Sequence, residues 1–231
     1  MKYTFMGYAM SVEKKKSPEI WVFDTYGEDY DRWFDEKGKV VFQNEVQLFK
    51  SIEHYHKHPS IEIGSGSGRF TKALSIDFAL EPSFKLREIS IKNGVVPIKG
   101  RGEDVPFDDE VFKTVFIIVT LCFAKKPIDI LREAARILHK KGHLILGLVL
   151  SDSPLGKLYI EKKQKGHKFY SVAKFYTLSE IESMLQHVGL RVYDIYSTLL
   201  SSPSHLTDIE EPVHGYIKKA GFVAVIAKKV R

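Results

Sequence analysis

Residues Ile61 to Phe70 read Ile-Glu-Ile-Gly-Ser-Gly-Ser-Gly-Arg-Phe, and this stretch decides the fold. The isoleucines on either side of Glu62 are typical of the end of a buried strand, and the residues from Arg69 onward can begin a helix. Between them stand three glycines at alternate positions, which let the backbone turn tightly and let a ligand lie against bare peptide groups. The stretch therefore predicts a strand, a ligand-binding loop and a helix in direct succession.

The loop departs from the dinucleotide-binding fingerprint Gly-x-Gly-x-x-Gly. Its glycines occupy positions 64, 66 and 68, and Arg69 stands where that fingerprint has its last Gly or Ala. This departure weighs against a pyrophosphate ligand. Glu62 points the same way, because a carboxylate beside the loop suits a cationic ligand better than a phosphate. An NAD(P)-dependent oxidoreductase stays an alternative interpretation of the loop.

The stretch resembles the first motif of the class I (Rossmann-like) methyltransferases that use S-adenosylmethionine, whose ligand carries an ammonium and a sulfonium. The resemblance is to the small-molecule, methyltransferase type 11-like branch. It implies a doubly wound α/β fold with a mostly parallel seven-stranded sheet, an antiparallel last strand, helices on both faces and an N-terminal helical lid. It also implies S-adenosylmethionine as cofactor and S-adenosylhomocysteine as product. The implied contacts at the loop are Glu62, Gly64, Ser65, Gly66 and Gly68.

A second acidic residue follows at the distance expected for ribose recognition. Residues 75–80 are typical of a strand that ends at Glu81, nineteen positions after Glu62, and Pro82 and Ser83 then break the strand. A carboxylate about 20 residues beyond such a loop can accept hydrogen bonds from ribose hydroxyls. An acid that merely starts the next helix is the alternative, because the helix macrodipole favours it there. We interpret Glu81, with Pro82 beside it, as part of the cofactor site.

The segment from Gly100 to Phe107 resembles the family's Gly-Asp-Ala-Glu-x-Leu-Pro-Phe, whose second and third residues border the adenine. We carry the adenine role to Gly102 and Glu103. Arg101 stands where the family usually has Asp, and a guanidinium cannot accept a hydrogen bond from the adenine amino group. The role of Arg101 stays open between stacking on the ring and pointing to solvent.

The remaining signals keep the order of this family over almost the whole chain. The apolar run 114–119 is typical of a strand buried on both faces, and the resemblance places the following Thr120 and Leu121 against the cofactor and the substrate. Lys140-Lys141-Gly142 are expected to close the next helix. We predict a single methyltransferase domain over 1–231, with a lid at 1–56, a cofactor-binding core at 57–150, a substrate-side insertion at 151–176 and the C-terminal part of the sheet at 177–231.

Aromatic residues outside the core are candidates for the acceptor site. Tyr26 and Tyr30 lie in a stretch that resembles the lid segment of many small-molecule methyltransferases. Tyr170 and His167 lie in the insertion, at the sheet edge where open α/β folds bind ligands. Packing of the lid onto the core is the alternative for the aromatic residues. Tyr30, His167 and Tyr170 are candidates for a general base, but the catalytic residue stays unknown, because transfer from a sulfonium needs mainly alignment and exclusion of water.

Composition limits the class of protein further. The 231 residues contain a single cysteine, Cys122, which excludes internal disulfides and thiolate zinc clusters and fits a reducing cytoplasm. No apolar run reaches the roughly 18 residues of a membrane-spanning helix. The net charge of +6 comes from dispersed lysines without an aromatic-interleaved stripe, so nucleic acid is not an expected partner. His54, His56 and His58 alternate and would not share a helical face, so no metal is expected.

The sequence therefore predicts a methyltransferase that acts by in-line displacement on a small-molecule substrate. Nitrogen, oxygen, sulfur and carbon acceptors all stay open. A non-catalytic regulatory protein that binds the cofactor on the same fold is a further alternative. The sequence predicts no oligomeric state.

Overall fold

An eight-stranded sheet is built from the apolar runs of the sequence, and the computed structural model describes residues 17–201 and 206–230. The strands are β1 (Ser60–Ile63), β2 (Phe78–Glu81), β3 (Ile98–Lys99), β4 (Phe112–Ile118), β5 (Leu138–Leu148), β6 (Leu190–Thr198), β7 (Val213–His214) and β8 (Phe222–Lys229). The α-helices are α1 (Pro18–Trp33), α2 (Lys39–Ser51), α3 (Arg69–Ala73), α4 (Phe84–Lys92), α5 (Pro127–Ile137), α6 (Pro154–Gln164) and α7 (Leu178–His187). Short 3-10 turns cover Glu53–Tyr55, Leu121–Phe123 and Tyr170–Val172.

The strand order is β3-β2-β1-β4-β5-β8-β6-β7, and it confirms the predicted sheet. Strands β1 to β5 pair in parallel, whereas β8 runs antiparallel to both of its neighbours, β5 and β6. One strand was not predicted. The two residues of β7 pair with Tyr196 and Ser197 at the sheet edge, and a strand this short and exposed has no hydrophobic pattern to reveal it.

The central strands are buried on both faces, because successive side chains of a strand point to opposite sides. Val115 and Ile117 of β4 join the core under α5 and α7. Phe116 and Ile118 of the same strand join a second core, under α2, in which Phe49 packs. The predicted placement of helices on both faces of the sheet is thereby confirmed.

The junction between α5 and β5 corrects one expectation. Helix α5 ends at Ile137 and β5 begins at Leu138, so Lys140-Lys141-Gly142 lie within the irregular start of the strand and do not close the helix. Leu138 is fully buried and pairs with Phe112, which draws the chain into the sheet immediately after the helix. The cation in the last turn of α5 is Arg136.

The predicted lid region corresponds to α1 and α2 from residue 17 onward, and its residues 1–16 lie outside the described part of the chain. Arg69, the first residue of α3, holds the end of α1. Its Nε lies 2.6 Å from Oδ1 of Asp31, and its Nη2 lies 2.6 Å from Oδ2 of Asp35. One guanidinium fork therefore engages two carboxylates, which is the geometry in which arginine pairs most strongly. The residue that departs from the dinucleotide fingerprint anchors the lid to the glycine loop.

Within residues 17–201 and 206–230, no helix is both long enough and apolar enough to cross a bilayer.

Replacing Arg69 with Ala should loosen α1 and leave the sheet intact. A hydrogen bond to a charged group contributes about 1.5–3 kcal/mol, so we expect amide hydrogen exchange across residues 18–33 to accelerate by roughly tenfold or more. Arg132→Ala is the matched control, because Arg132 pairs with Asp129 on the exposed side of α5. Equal exchange of the lid in the two variants would contradict the anchoring role.

Candidate cofactor and acceptor site

The glycine loop adopts a backbone that side chains would not permit. Gly64, Gly66 and Gly68 have φ angles of +75°, +57° and +78°, in the left-handed region that favours glycine. A Cβ on Gly64 would lie 2.4 Å from Cγ2 of Thr120, and one on Gly68 would lie 2.6 Å from Oγ of Ser90. The loop therefore needs glycine at these positions both for its conformation and for its close packing.

Glu81 joins this loop to the start of α4. Its Oε2 accepts a hydrogen bond from the backbone N–H of Gly66 at 2.9 Å, and its Oε1 accepts one from the N–H of Ser83 at 2.7 Å. Ser83 itself caps α4, since its Oγ accepts the N–H of Leu86 at 3.2 Å. The helix-start role weighed for Glu81 thus belongs to Ser83. Each carboxylate oxygen of Glu81 keeps a lone pair for a further donor such as a hydroxyl.

Glu81 is buried, and its surroundings change its acidity. Burial raises the pKa of its carboxyl group to about 7, although the two backbone N–H groups act in the opposite direction. The carboxyl group is therefore poised between its neutral and ionised forms near neutral pH. A hydroxyl that donates to it would favour the ionised form.

Glu62 lies beneath the loop and not in the cavity wall. Its side chain is 1% exposed and accepts a hydrogen bond from the hydroxyl of Thr71. Burial raises its pKa to about 8, so the group carries little negative charge at neutral pH. The reason is strand alternation: Ile63 points to the cavity, and its neighbour Glu62 points to the opposite face. In this structure Glu62 therefore supports α3, and its contact with the cofactor stays a prediction.

A cavity of about 750 Å³ lies at the carboxyl ends of β1, β2 and β4. The predicted cofactor residues that line it are Gly64, Gly66, Glu81, Pro82, Gly102, Glu103 and Thr120. Three other predicted residues do not line it. Leu121 is turned into the core and is 1% exposed, while Gly68 and Ser65 lie behind the loop and pack toward α4 and the protein interior. Sequence reasoning missed the lid residues Ile20 and Phe23, whose spacing on one helical face is the signal that was available.

Gly102 and Arg101, from the segment predicted to border the adenine, line the same cavity. A Cβ on Gly102 would lie 2.8 Å from Cγ2 of Ile63, so the backbone approaches the sheet closely here. The Arg101 guanidinium lies 3.1 Å from Oε1 of Glu103. Arg101 thus forms an ion pair at the cavity wall, and the two predicted alternatives for its role both stay open.

A second cavity, of about 1510 Å³, adjoins the first. Tyr30 lines both, and it is joined in the second by Tyr170 and His167 from the insertion. Tyr26, predicted to face the substrate, lines neither cavity: its ring packs edge-on against Phe169, with centroids 6.3 Å apart. The backbone of Tyr26 leaves the helical region (φ −116°, ψ 21°), which marks a kink within α1.

The insertion closes onto the lid above these cavities. Phe169 stacks on Phe23 of α1 with ring centroids 6.0 Å apart, and Lys168 forms an ion pair with Asp29. The Lys168 ammonium also lies 5.0 Å from the ring centroid of Tyr26. The roof of the second cavity is therefore formed by the insertion and α1, which contact each other.

The three candidate bases differ in protonation. Burial raises the pKa values of the Tyr30 and Tyr170 phenols, so both stay protonated and can donate hydrogen bonds but cannot accept a proton. Burial, with Lys162 and Lys168 nearby, lowers the pKa of His167 below its usual value. The neutral imidazole of His167 is therefore the one of the three that can accept a proton at neutral pH.

The second cavity also contains a carboxylate that was not predicted from the sequence. Glu45 of α2 is 4% exposed and lines the cavity wall. The available signal was its position on the helical face that carries Phe42, Leu48 and Phe49, where an acidic residue is out of place.

The three alternating histidines do not gather around a common point that would hold a metal. The His58 ring pairs with Asp77 at 2.6 Å, and Nε2 of His56 lies 2.9 Å from Oγ of Ser60. Among the residues with described positions, no group of three His, Cys, Asp or Glu side chains is arranged to bind a metal ion.

Comparisons with known proteins agree with this geometry. A family model described as a methyltransferase domain matches residues 61–146. An uncharacterized protein of Methanocaldococcus jannaschii is 38% identical over 209 residues, which cover 90% of this chain and 99% of that protein. An uncharacterized protein of Mycobacterium tuberculosis is 35% identical over 200 residues, which cover 86% of this chain and 70% of that protein.

A solved structure from Thermotoga maritima is similar over the same extent. It is described as an S-adenosylmethionine-dependent methyltransferase and a possible histamine N-methyltransferase. The two chains are 34% identical and superimpose with a TM-score of 0.84, over 91% of this chain and 99% of the other.

Replacing Glu81 with Ala should weaken binding of S-adenosylhomocysteine by about 1.5–3 kcal/mol, the scale of a hydrogen bond to a charged group. The melting temperature should fall as well, because the N–H groups of Gly66 and Ser83 lose their acceptor. Calorimetric titration and thermal unfolding measure the two effects. Glu88→Ala, on the exposed side of α4, is the control. A lower melting temperature with unchanged affinity would leave Glu81 a purely structural residue.

The raised pKa of Glu81 predicts a pH dependence of ribose binding. Because hydroxyl donors favour the ionised carboxylate, affinity should rise by roughly tenfold between about pH 6 and pH 8. The probe is 5′-methylthioadenosine, which carries the ribose without the titrating amino acid portion of the cofactor. In Glu81→Gln the profile should be flat, which separates Glu81 from Glu62. A flat profile in the unmodified protein would refute the assignment.

Proposed function

This chain belongs to the class I methyltransferases that depend on S-adenosylmethionine, and we propose that it transfers a methyl group by in-line displacement to a small-molecule acceptor. The observation that carries the proposal is Tyr30, whose side chain lines both the cavity at the glycine loop and the aromatic cavity beside it. A cofactor in the first cavity and an acceptor in the second would meet at this residue. The acceptor atom is open, and nitrogen is one candidate because the Thermotoga relative is described as a possible histamine N-methyltransferase.

The residues of the first cavity fit the proposed cofactor. Glu81 offers acceptors for the ribose hydroxyls, and the bare backbone at Gly64 and Gly66 admits a ligand at close range. Gly102 lets the backbone of the cavity wall pack directly against Ile63. When bound, S-adenosylmethionine supplies a methyl group that its sulfonium has already activated.

The protein's own part is alignment and exclusion of water. Phe23 and Tyr30 of α1 and Phe123 wall the site on the lid side, and the ring centroids of Phe23 and Phe123 are 5.0 Å apart. The Tyr30 hydroxyl, held protonated by burial, can orient an acceptor by donating a hydrogen bond. His167 is available to accept a proton where the acceptor must lose one.

Domain organisation and compartment follow as parts of the same proposal. The lid, the core and the insertion contact one another through Arg69 and Phe169, which supports a single methyltransferase domain. The single cysteine, Cys122, is half-buried and forms no disulfide, as suits a protein of the reducing cytoplasm.

The proposal predicts that the purified protein binds S-adenosylmethionine and S-adenosylhomocysteine with low-micromolar or tighter affinity, on the scale of about −8 kcal/mol. Calorimetry with NAD as the competing ligand distinguishes the oxidoreductase alternative, which requires NAD binding in place of S-adenosylhomocysteine. A screen of small metabolites for release of S-adenosylhomocysteine then tests catalysis, and a chelator should leave turnover unchanged. Cofactor binding that alters association with another protein, without turnover of any acceptor, would favour the regulatory alternative.

A further inference from the structure

The carboxylate of Glu45 has no role in the cofactor binding described above. It belongs to the second cavity only, on α2, and lies on the far side of Tyr30 from the glycine loop. Within residues 17–201 and 206–230 it has neither a hydrogen-bond partner nor an ion-pair partner. Burial raises its pKa to about 8. At neutral pH this group either holds a charge away from water or takes up a proton that it would not bind in the unfolded chain, and both oppose folding. A cation beside it would favour the ionised form.

The wall around Glu45 is aromatic and uncharged. Tyr159 stacks on Tyr170 with ring centroids 4.3 Å apart, and Phe175 lies 5.9 Å from Tyr159. Burial is the main cause of the raised pKa values of Tyr30 and Tyr159, and the charge of Glu45 adds to it in both. These rings therefore share one space with the carboxylate.

The charges of this region lie at the rim. Lys168 and Arg32 both pair with Asp29, and the Lys162 ammonium lies 5.6 Å from the centroid of the Tyr159 ring. Glu36 is exposed at the same rim. Inside the rim, a charged ligand would contact the faces of aromatic rings and one carboxylate, that of Glu45.

We propose that this cavity binds an organic ammonium ion, whose positive charge pairs with Glu45 while its apolar body packs against Tyr159 and Phe175. Aromatic faces attract cations through the negative potential above the ring, and the attraction grows where water is excluded. A carboxylate in the same space adds a Coulomb term that a neutral ligand does not gain and that an anion would oppose. The chemical class is an amine in its protonated or alkylated form, attached to a hydrocarbon or aromatic portion.

This assignment deepens the proposed function. The identification of the ammonium ion as the methyl acceptor rests on that function. Glu45 is a binding residue in it. The proposal concerns recognition of the charge and leaves open which atom of the ligand receives the methyl group. Binding itself can be measured without turnover, so the two proposals fail separately.

The test compares three ligands of similar shape and different charge: 2-phenylethylamine, 2-phenylethanol and 3-phenylpropanoate. Their affinities are measured by calorimetry or ligand-observed NMR, with and without saturating S-adenosylhomocysteine. We expect the amine to bind at least tenfold more tightly than the alcohol, and the carboxylate to bind most weakly. In Glu45→Gln the preference of the amine over the alcohol should disappear.

Two controls make the comparison decisive. Glu36→Gln removes a carboxylate from the rim and should leave the preference intact. Glu45→Gln should keep its affinity for S-adenosylhomocysteine and melt at the same temperature or higher, because a buried charge has been removed. These readouts separate loss of recognition from loss of the fold.

Three outcomes would overturn the proposal: equal binding of amine and alcohol by the unmodified protein, tighter binding of the carboxylate, or a preference for the amine that survives in Glu45→Gln. Failure of the protein to bind S-adenosylhomocysteine would instead contradict the proposed function. The comparison of the three ligands without S-adenosylhomocysteine would still decide the role of Glu45.

Discussion

The carboxylate of Glu81 joins the two loops from which the cofactor side of the molecule is built. One oxygen holds the N–H of Gly66, in the loop after β1, and the other holds the N–H of Ser83, at the start of α4. Because β1 and β2 are parallel neighbours, their carboxyl ends meet at one edge, and a short acidic side chain can span both loops. The cavity exists because this bridge keeps the glycine loop in its left-handed conformation beside the strand ends.

The same edge of the sheet is closed by a lid that is fastened at several points. Arg69 holds the end of α1, the hydroxyl of Ser83 donates to Asp24 within α1 at 2.7 Å, and Lys85 pairs with Glu28. These contacts connect the lid to the segments that follow β1 and β2. Closure of the site and formation of the glycine loop are therefore parts of one arrangement.

The sequence was most informative where local chemistry leaves few choices. Three glycines with positive φ and an acid nineteen positions beyond Glu62 define a geometry that no other residues satisfy easily, and the sheet topology follows from the order of the apolar runs. Side-chain direction was harder to predict. Glu62 faces away from the cavity because it alternates with Ile63, and Tyr26, at the kink within α1, does not line the cavity.

Contacts between segments that are far apart in the sequence could not be predicted from sequence patterns. Glu45 lines a cavity only because α1, α2 and the insertion pack together, and the spacing of residues along the chain does not predict this packing. The side chain of Leu121 was hard to place for a related reason: the chain turns into a 3-10 segment shortly after β4, and Leu121 is buried there. The short strand β7 depends entirely on its partner, β6.

The fastenings of the lid differ in kind, and the difference has a consequence for the behaviour of the protein in solution. The ion pairs of Lys85 with Glu28 and of Lys168 with Asp29 lie at the exposed rim, whereas the stacked rings of Phe23 and Phe169 are half-buried. Dissolved salt screens exposed charges within a Debye length of about 8 Å at 0.15 M, and it does not weaken contacts between apolar rings. We therefore expect rising ionic strength to weaken the ion pairs at the rim more than the aromatic contacts beside them.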